Sequence, residues 1–433
     1  MSGPTAPKSP DAQSAGELDE LFGLQTLEFP GARKTISKGV ATTPFEQIMV
    51  SASVERSGQS YYGLARLDAN GNPDLSFGEA GYVYGQFGTP LFSQGGPLIV
   101  GADGLIWMCG VIGVIEDEII ELQQVIARFL PDGSLDEAFG SDKNGYQIVP
   151  MRIPPLSGAT HGRLILAKST STVMAPDKLL FVSSQKGSGL LTRLELDGSD
   201  DTSFGSNGWL PLTLPGVNIS LLGIIQLSDG LILVHGKIEV TNQGLVMAFD
   251  SSGNVAQTFG DKGVLVLNIQ RNGKPLESRV EKIIERTAQR LLLLGSANES
   301  TEDTKLQHAF ISGITGVGKM DETFNGKKPV ITPATQTLDL RQWMAGFTLD
   351  DERIVTVGQT SGSARGLLTG GFLTDGTVDI SFDVEGAKDI SWTAVDACTQ
   401  GSSILILGRK DDSAQLVRLL TAPVTTPLEI GGR

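Results

Sequence analysis

The nine residues DGSLDEAFG, Asp132–Gly140, combine acids, a glycine turn and a phenylalanine, a mixture that suits either an ion-binding loop or a structural corner. Comparison along the chain decides between them. The stretch recurs as GELDELFG, NGNPDLSFG, DGSDDTSFG, SGNVAQTFG, VGKMDETFN and DGTVDISFD, so that the copies centre on Phe22, Phe77, Phe139, Phe204, Phe259, Phe324 and Phe382. They stand 55 to 65 residues apart and cover the chain. A period of this length marks one supersecondary unit used many times.

Two apolar runs precede each copy after the first and recur once more after the last. The first reads IMVSA, IWMCG, LFVSS, LILVHG, LLLLG, IVTVG and ILILG, and the second includes GLARLD, VIARFLP, LLTRLELD and LVMAFD. After the phenylalanine, glycine-bounded pieces such as GYVYGQF and GVLVLNI read as a further strand, and LLGIIQL and VEKIIE as one more. Four short strands per unit make a propeller blade. The first copy lacks the strand before its turn, and the chain ends after QLVRLL with no turn to follow, so each end supplies what the other lacks. The expected architecture is an all-β, seven-bladed β-propeller of four-stranded blades. Its ring is closed by N- and C-terminal strands in a shared blade, over residues 16–433, behind a disordered tail of residues 1–15.

The stretch GLARLDANGNPDLSFGEAG, Gly63–Gly81, resembles the bacterial delta-60 repeat β-propeller family. That resemblance implies the propeller fold and brings no common catalytic residues with it.

The repeated residues read as construction. A turn glycine supplies the positive φ that other residues adopt at a cost. Calcium at DANGNPD, Asp68–Asp74, is opposed by the other copies: LPDGSLD lacks the first acid and DSSGNVA the last, while both keep the glycine. No metal or cofactor is expected. An aspartate stands three residues before the phenylalanine in six copies, and Arg66, Arg128, Arg193 and Arg418 stand in the strand before. The copy with Ala256 in place of the aspartate also has Ala248 in place of the arginine, which points to an ion pair such as Arg128–Asp136 within a blade. Gly313 and Gly371 replace the arginine where Asp321 and Asp379 remain, so those carboxylates are expected to cap turn amides. The phenylalanines are expected to pack between blades.

A net charge of −15, from 34 basic and 49 acidic residues, repels polyphosphate. The expected partner is a protein, or a neutral or cationic ligand, and not nucleic acid. No run approaches 18 apolar residues and MSGPTAPKSPDAQSAG has no apolar leader, so neither a membrane span nor a cleaved signal is expected. The location is then cytoplasmic or reached by a signal-independent route. Cys109 and Cys398 lie in apolar runs and read as buried free thiols.

Chemistry should break the repeat. His161, His235 and His308 occupy three different places in the unit, and no HxH, HExxH, GxSxG or phosphate-loop pattern occurs. His235, at the end of LILVHG, reads as a core residue. The connections on one face of the disc are long and irregular, which is how loops build a binding surface on a uniform scaffold. His161, Arg163, Arg271, Arg341, Trp343 and Gln94 lie in or beside them and are the candidate ligand residues. EDEIIEL, Glu116–Leu122, reads as a longer strand pair. The expected function is non-catalytic binding on that face; the alternatives are a carbohydrate-binding propeller, or a hydrolase or lyase at the channel mouth using His161 and Arg341.

Overall fold

Strands here end where a glycine lets the chain reverse. Gly133 and Gly198 have φ of 91° and 92° in the turns before Phe139 and Phe204, a region that a Cβ makes costly. The computed structural model describes residues 12–425, other than 117, 151, 153–161, 169–176, 186, 288, 301–304, 335–339, 363–365 and 383–390.

β1 (Ala12–Gln13) and β2 (Gln25–Leu27) begin the described chain. β3 (Lys34–Thr42), β4 (Ile48–Arg56), β5 (Gln59–Leu67) and β6 (Tyr82–Gly85) form one antiparallel blade, and β7 (Phe92–Val100), β8 (Ile106–Glu116), β9 (Ile119–Phe129) and β10 (Tyr146–Ile148) the next. β11 (Arg163–Ala167), β12 (Lys178–Gln185), β13 (Ser188–Leu194) and β14 (Trp209–Leu212) follow, then β15 (Ile219–Gln226), β16 (Ile232–Ile238), β17 (Gln243–Phe249) and β18 (Val264–Val266). A small hairpin, β19 (Gln270–Arg271) and β20 (Lys274–Pro275), leads to β21 (Glu277–Thr287), β22 (Arg290–Ser300), β23 (Lys305–Thr315) and β24 (Val330–Thr332). After these come β25 (Leu340–Thr348), β26 (Ile354–Ser361) and β27 (Gly366–Phe372). The last blade joins β28 (Thr393–Gln400), β29 (Ser403–Lys410) and β30 (Ser413–Leu420) to β2, and β31 (Val424–Thr425) pairs with β1.

The structure is therefore an all-β propeller with five four-stranded blades, and the expectation of seven is corrected. The strands β21 to β27 are not two further separate blades but one seven-stranded sheet, because a parallel bridge between Gln307 and Leu340 joins β23 to β25. Counting motif copies could not detect that join. The bridge uses residues outside the motif, and the stretch after Phe382 from which a fourth strand was expected includes 383–390, outside the described residues. Within the stretch expected to be tail, Ala12–Gln13 pair with Val424–Thr425 and Ala15 is buried.

The motif builds the seams between neighbouring blades. Arg128 Nε donates to Asp136 at 2.7 Å, its guanidinium lies 5.2 Å from the ring centre of Phe139, and its Nη1 donates across the seam to the carbonyl of Leu196. The same bracket recurs at Arg66, Arg193 and Arg418, whose Nε atoms lie 2.9, 2.8 and 2.8 Å from Asp74, Asp201 and Asp19. The following glycine amide also crosses: Gly140 N–H donates to Asp197 O at 2.8 Å. A Cβ added at Gly133 would lie 2.6 Å from the Phe77 ring, so the turn glycine of one blade closes over the phenylalanine of the blade before. All seven motif phenylalanines are buried. Where the arginine is absent, Asp321 and Asp379 accept from the amides of Thr323 and Ser381, and Arg353 reaches Asp379 at 3.2 Å from another turn.

These carboxylates tie stability to pH. The hydroxyl and amide of Ser76, with Arg66, hold Asp74 below the usual carboxylate range against its burial. Burial pushes Asp201 up, but Ser203, Arg193 and Lys178 together pull it below its ordinary value. The folded state thus binds fewer protons than the unfolded chain near pH 4, so this stabilisation is present above about pH 4 and lost as pH falls further. Thermal melting is expected to fall steeply below about pH 4, and Ser203→Ala to lower melting at pH 7 more than at about pH 2.5. An equal drop at both would contradict it.

EDEIIEL lies where β8 and β9 extend into one long hairpin, in which Val114 faces Glu121. Ile115, Ile119 and Ile120 near its tip are exposed. Among the described residues no helix is long and apolar enough to cross a membrane. Cys109 is buried and Cys398 half-buried, both as free thiols.

Candidate functional site in the central channel

The first strands β3, β7, β11, β15, β21, β25 and β28 pack one against the next, and β28 returns to β3, so together they wall the axis of the ring. β3, β15, β21, β25 and β28 carry a bulge at one common place, and each bulge sets a single residue against the middle of the second strand. Those pairs are Gly39 with Ser51, Gly223 with His235, Lys282 with Leu294, Ala345 with Val357 and Asp396 with Leu407. β11 places Arg163 at the same level, opposite Val182. Small residues at Gly39, Gly223 and Ala345 leave space there, and Arg163, Lys282 and Asp396 bring charge to it. With His235, they line a cavity of about 380 Å³.

The charges at this level do not balance. The side chains of Arg163 and Lys282 make no hydrogen bond or ion pair among the described residues. Both reach water in the channel, yet the ring encloses them, and burial pulls the Lys282 ammonium below its ordinary pKa while Asp396 opposes that shift. Asp396 Oδ2 accepts from the Val40 amide at 3.0 Å. Burial raises its pKa, against the pull of Arg163, the Val40 amide and Lys282. Glu281, on the bulge beside Lys282, is bound to Arg279, and burial raises it as well. Lys38, on the bulge of β3, is lowered to about 8 by burial and by the neighbouring Arg409 and Arg163. Two unneutralised cations therefore face one carboxylate.

His235 enters this level from behind. Its Nδ1 lies 3.0 Å from the carbonyl oxygen of Val280, which can only accept, so Nδ1 carries the proton and Nε2 is bare. Burial lowers its pKa to about 4, and the ring stays neutral. Nε2 lies over Gly223, where a Cβ would come within 2.4 Å of it.

A second and larger space, about 880 Å³, adjoins this level on the side of the turns that link first and second strands. Ile165, Ile224 and Lys282 belong to the walls of both.

Of the described candidate ligand residues, Arg163 alone stands at the charged level. Gln94 is half-buried on β7 opposite Val111. Arg271 sits in the β19–β20 hairpin and pairs with Glu299 at 2.8 Å. His308 is buried beside that pair: the Ala334 amide donates to its Nδ1 at 2.9 Å, leaving Nε2–H to donate to Glu299 at 3.1 Å. Trp343 is in the core, with its ring edge-on to Phe372 at 6.3 Å. Arg341 lines a separate cavity of about 610 Å³ with Leu367 and Leu368. His161 lies outside the described residues. Lys282, Asp396 and the channel role of His235 escaped the sequence reading; the available signal was a charge inside an otherwise apolar first strand, in VEKIIE and AVDACTQ. Among the described residues no three His, Cys, Asp or Glu side chains group so as to hold a metal ion.

No curated protein matches the chain. Among solved structures, a protein of unknown function from Dyadobacter fermentans DSM 18053 shares 11% identity, with 95% of this chain and 100% of that one covered and a TM-score of 0.44. The polysaccharide lyase Uly1 shares 10% identity over 94% of this chain and 100% of its own, with a TM-score of 0.49. A PL25 ulvan lyase bound to -[GlcA(1-4)Rha3S]- shares 11%, over 95% of each chain, with a TM-score of 0.47. Residues 47–77, which hold β4, β5 and one motif turn, match a family described as a β-propeller domain of unknown function, DUF5122.

Proposed function

We propose that the protein is a non-catalytic binding module that takes a small anionic ligand in its central channel. One observation carries this reading: Arg163 and Lys282 stand at one level of the channel, share the field of the single carboxylate of Asp396, and make no hydrogen bond or ion pair with any described residue. Two cations against one carboxylate leave the channel with excess positive charge, and an incoming carboxylate or sulfate offsets it through charge-assisted hydrogen bonds. The overall charge of −15 argues for cationic partners at the surface, but recognition depends on the local field, and inside the channel that field is positive. A chemical step lacks its usual parts there. Burial keeps His235 neutral and, with a pKa of about 4, a weak base, and burial and Asp396 push the Cys398 thiol above its ordinary pKa, away from the reactive thiolate.

Calorimetric titration with sodium acetate and sodium sulfate tests this. Binding is expected in the native protein and should weaken at least about tenfold in Arg163→Ala and in Lys282→Ala, the worth of one charge-assisted hydrogen bond. Methylammonium is expected not to bind. Indifference of anion binding to both substitutions would overturn the reading.

A further inference from the structure

We propose that the anion is amphipathic, with its head at Arg163 and Lys282 and an apolar body in the adjoining 880 Å³ chamber. This rests on the reading of the channel as an anion site. The chamber shares Lys282 with the charged level, so one molecule reaches both. Its wall presents Ile165, Ile224, Ile225, Ile283, Ile284 and Phe347.

Three polar members of that wall, Gln226, Ser228 and Glu285, are already committed, while the Thr348 hydroxyl has no partner among the described residues. Gln226 accepts from the Lys168 amide at 2.8 Å and donates to the Lys168 carbonyl at 3.1 Å, so its side chain is used up bridging β15 to the end of β11. Ser228 donates to Glu285 from its amide at 2.9 Å and from its hydroxyl at 2.7 Å. A sugar or other polyhydroxyl body would find those groups occupied. A hydrocarbon body needs no hydrogen bonds and gains from leaving water. The charge count fits a single head: two cations against the one carboxylate of Asp396 complement a monoanion more closely than a dianion such as sulfate.

The test compares acetate, hexanoate, octanoate and octan-1-ol by calorimetry on the whole chain. Each added methylene placed in the chamber should tighten binding about fourfold, so octanoate is expected to bind about fifteenfold more tightly than hexanoate. Thr399 is an exposed residue of the chamber wall. Thr399→Trp fills part of the space and is expected to abolish the gain from chain length while leaving acetate binding as it was. Arg163→Ala should weaken every carboxylate. If short anions bind through Arg163 and lengthening them gains nothing, the amphipathic ligand is refuted and the anion site stands. If octanoate and octan-1-ol bind alike and both ignore Arg163→Ala, the two ideas fall together.

Discussion

Replacing Phe139 with alanine is expected to cost the fold about 3–5 kcal/mol, the range for removing a large aromatic side chain from a packed core. The ring is fully buried between two blades. On one side it carries the Arg128 guanidinium, and on the other the turn glycine of the next blade, where a Cβ added at Gly198 would already lie 3.1 Å from it. That neighbour is backbone fixed by its own turn, so the seam cannot collapse into the space, and the loss should fall near the upper end. The measurement is the urea midpoint of unfolding, with Ile380→Ala as reference, because Ile380 is 97% exposed in another motif copy. The reference should change stability by less than about 0.5 kcal/mol. Similar losses for the two would show that the phenylalanine does not hold the seam.

The second large effect is expected from Arg128→Ala, at about 2–4 kcal/mol, since breaking one side of a largely buried ion pair leaves the other charge uncompensated. The side chains of Arg128 and Asp136 are 10% and 13% exposed, enough to trim the cost below that of a fully buried pair. Arg128 makes three separate contacts, to Asp136, to the Leu196 carbonyl and to the Phe139 ring. Asp136→Ala removes only the first, and should cost less. The double variant should lose less than the sum of the single ones, because the stranded carboxylate is gone. Strict additivity would mean that the pair is not a coupled unit, and the anion-binding behaviour of the channel should be unaffected in either case.

The seam was legible in the sequence for a physical reason. Turn, carboxylate, arginine and phenylalanine act together within a span of a dozen residues, so the joint replacement by Ala248 and Ala256 in one copy exposed their partnership. The blade count was not legible, because whether two sheets stay apart depends on a single bridge, Gln307 to Leu340, in chain that the motif does not govern. The channel was hidden for a third reason. A bulge breaks the alternation of faces along a strand, so periodicity cannot tell whether Glu281 or Lys282 faces the axis. Only register places Lys282 level with Arg163 and Asp396, residues more than a hundred positions away on either side.

Arg418 and Asp19 lie 399 residues apart in the chain, whereas Arg128 and Asp136 lie 8 apart. Three of the four arginine–aspartate brackets are local, and each of them forms as soon as its own hairpin does. The fourth waits for the whole chain, and contacts of such separation form late. On the ribosome, where synthesis runs from the N-terminus, β2 must stand without its partner β30 until nearly every other strand has been made. Its three residues, Gln25–Leu27, offer a short unpaired edge during that wait. A strand so brief is a poor template for a stray chain, and closing the ring has to wait for β30 to reach β2.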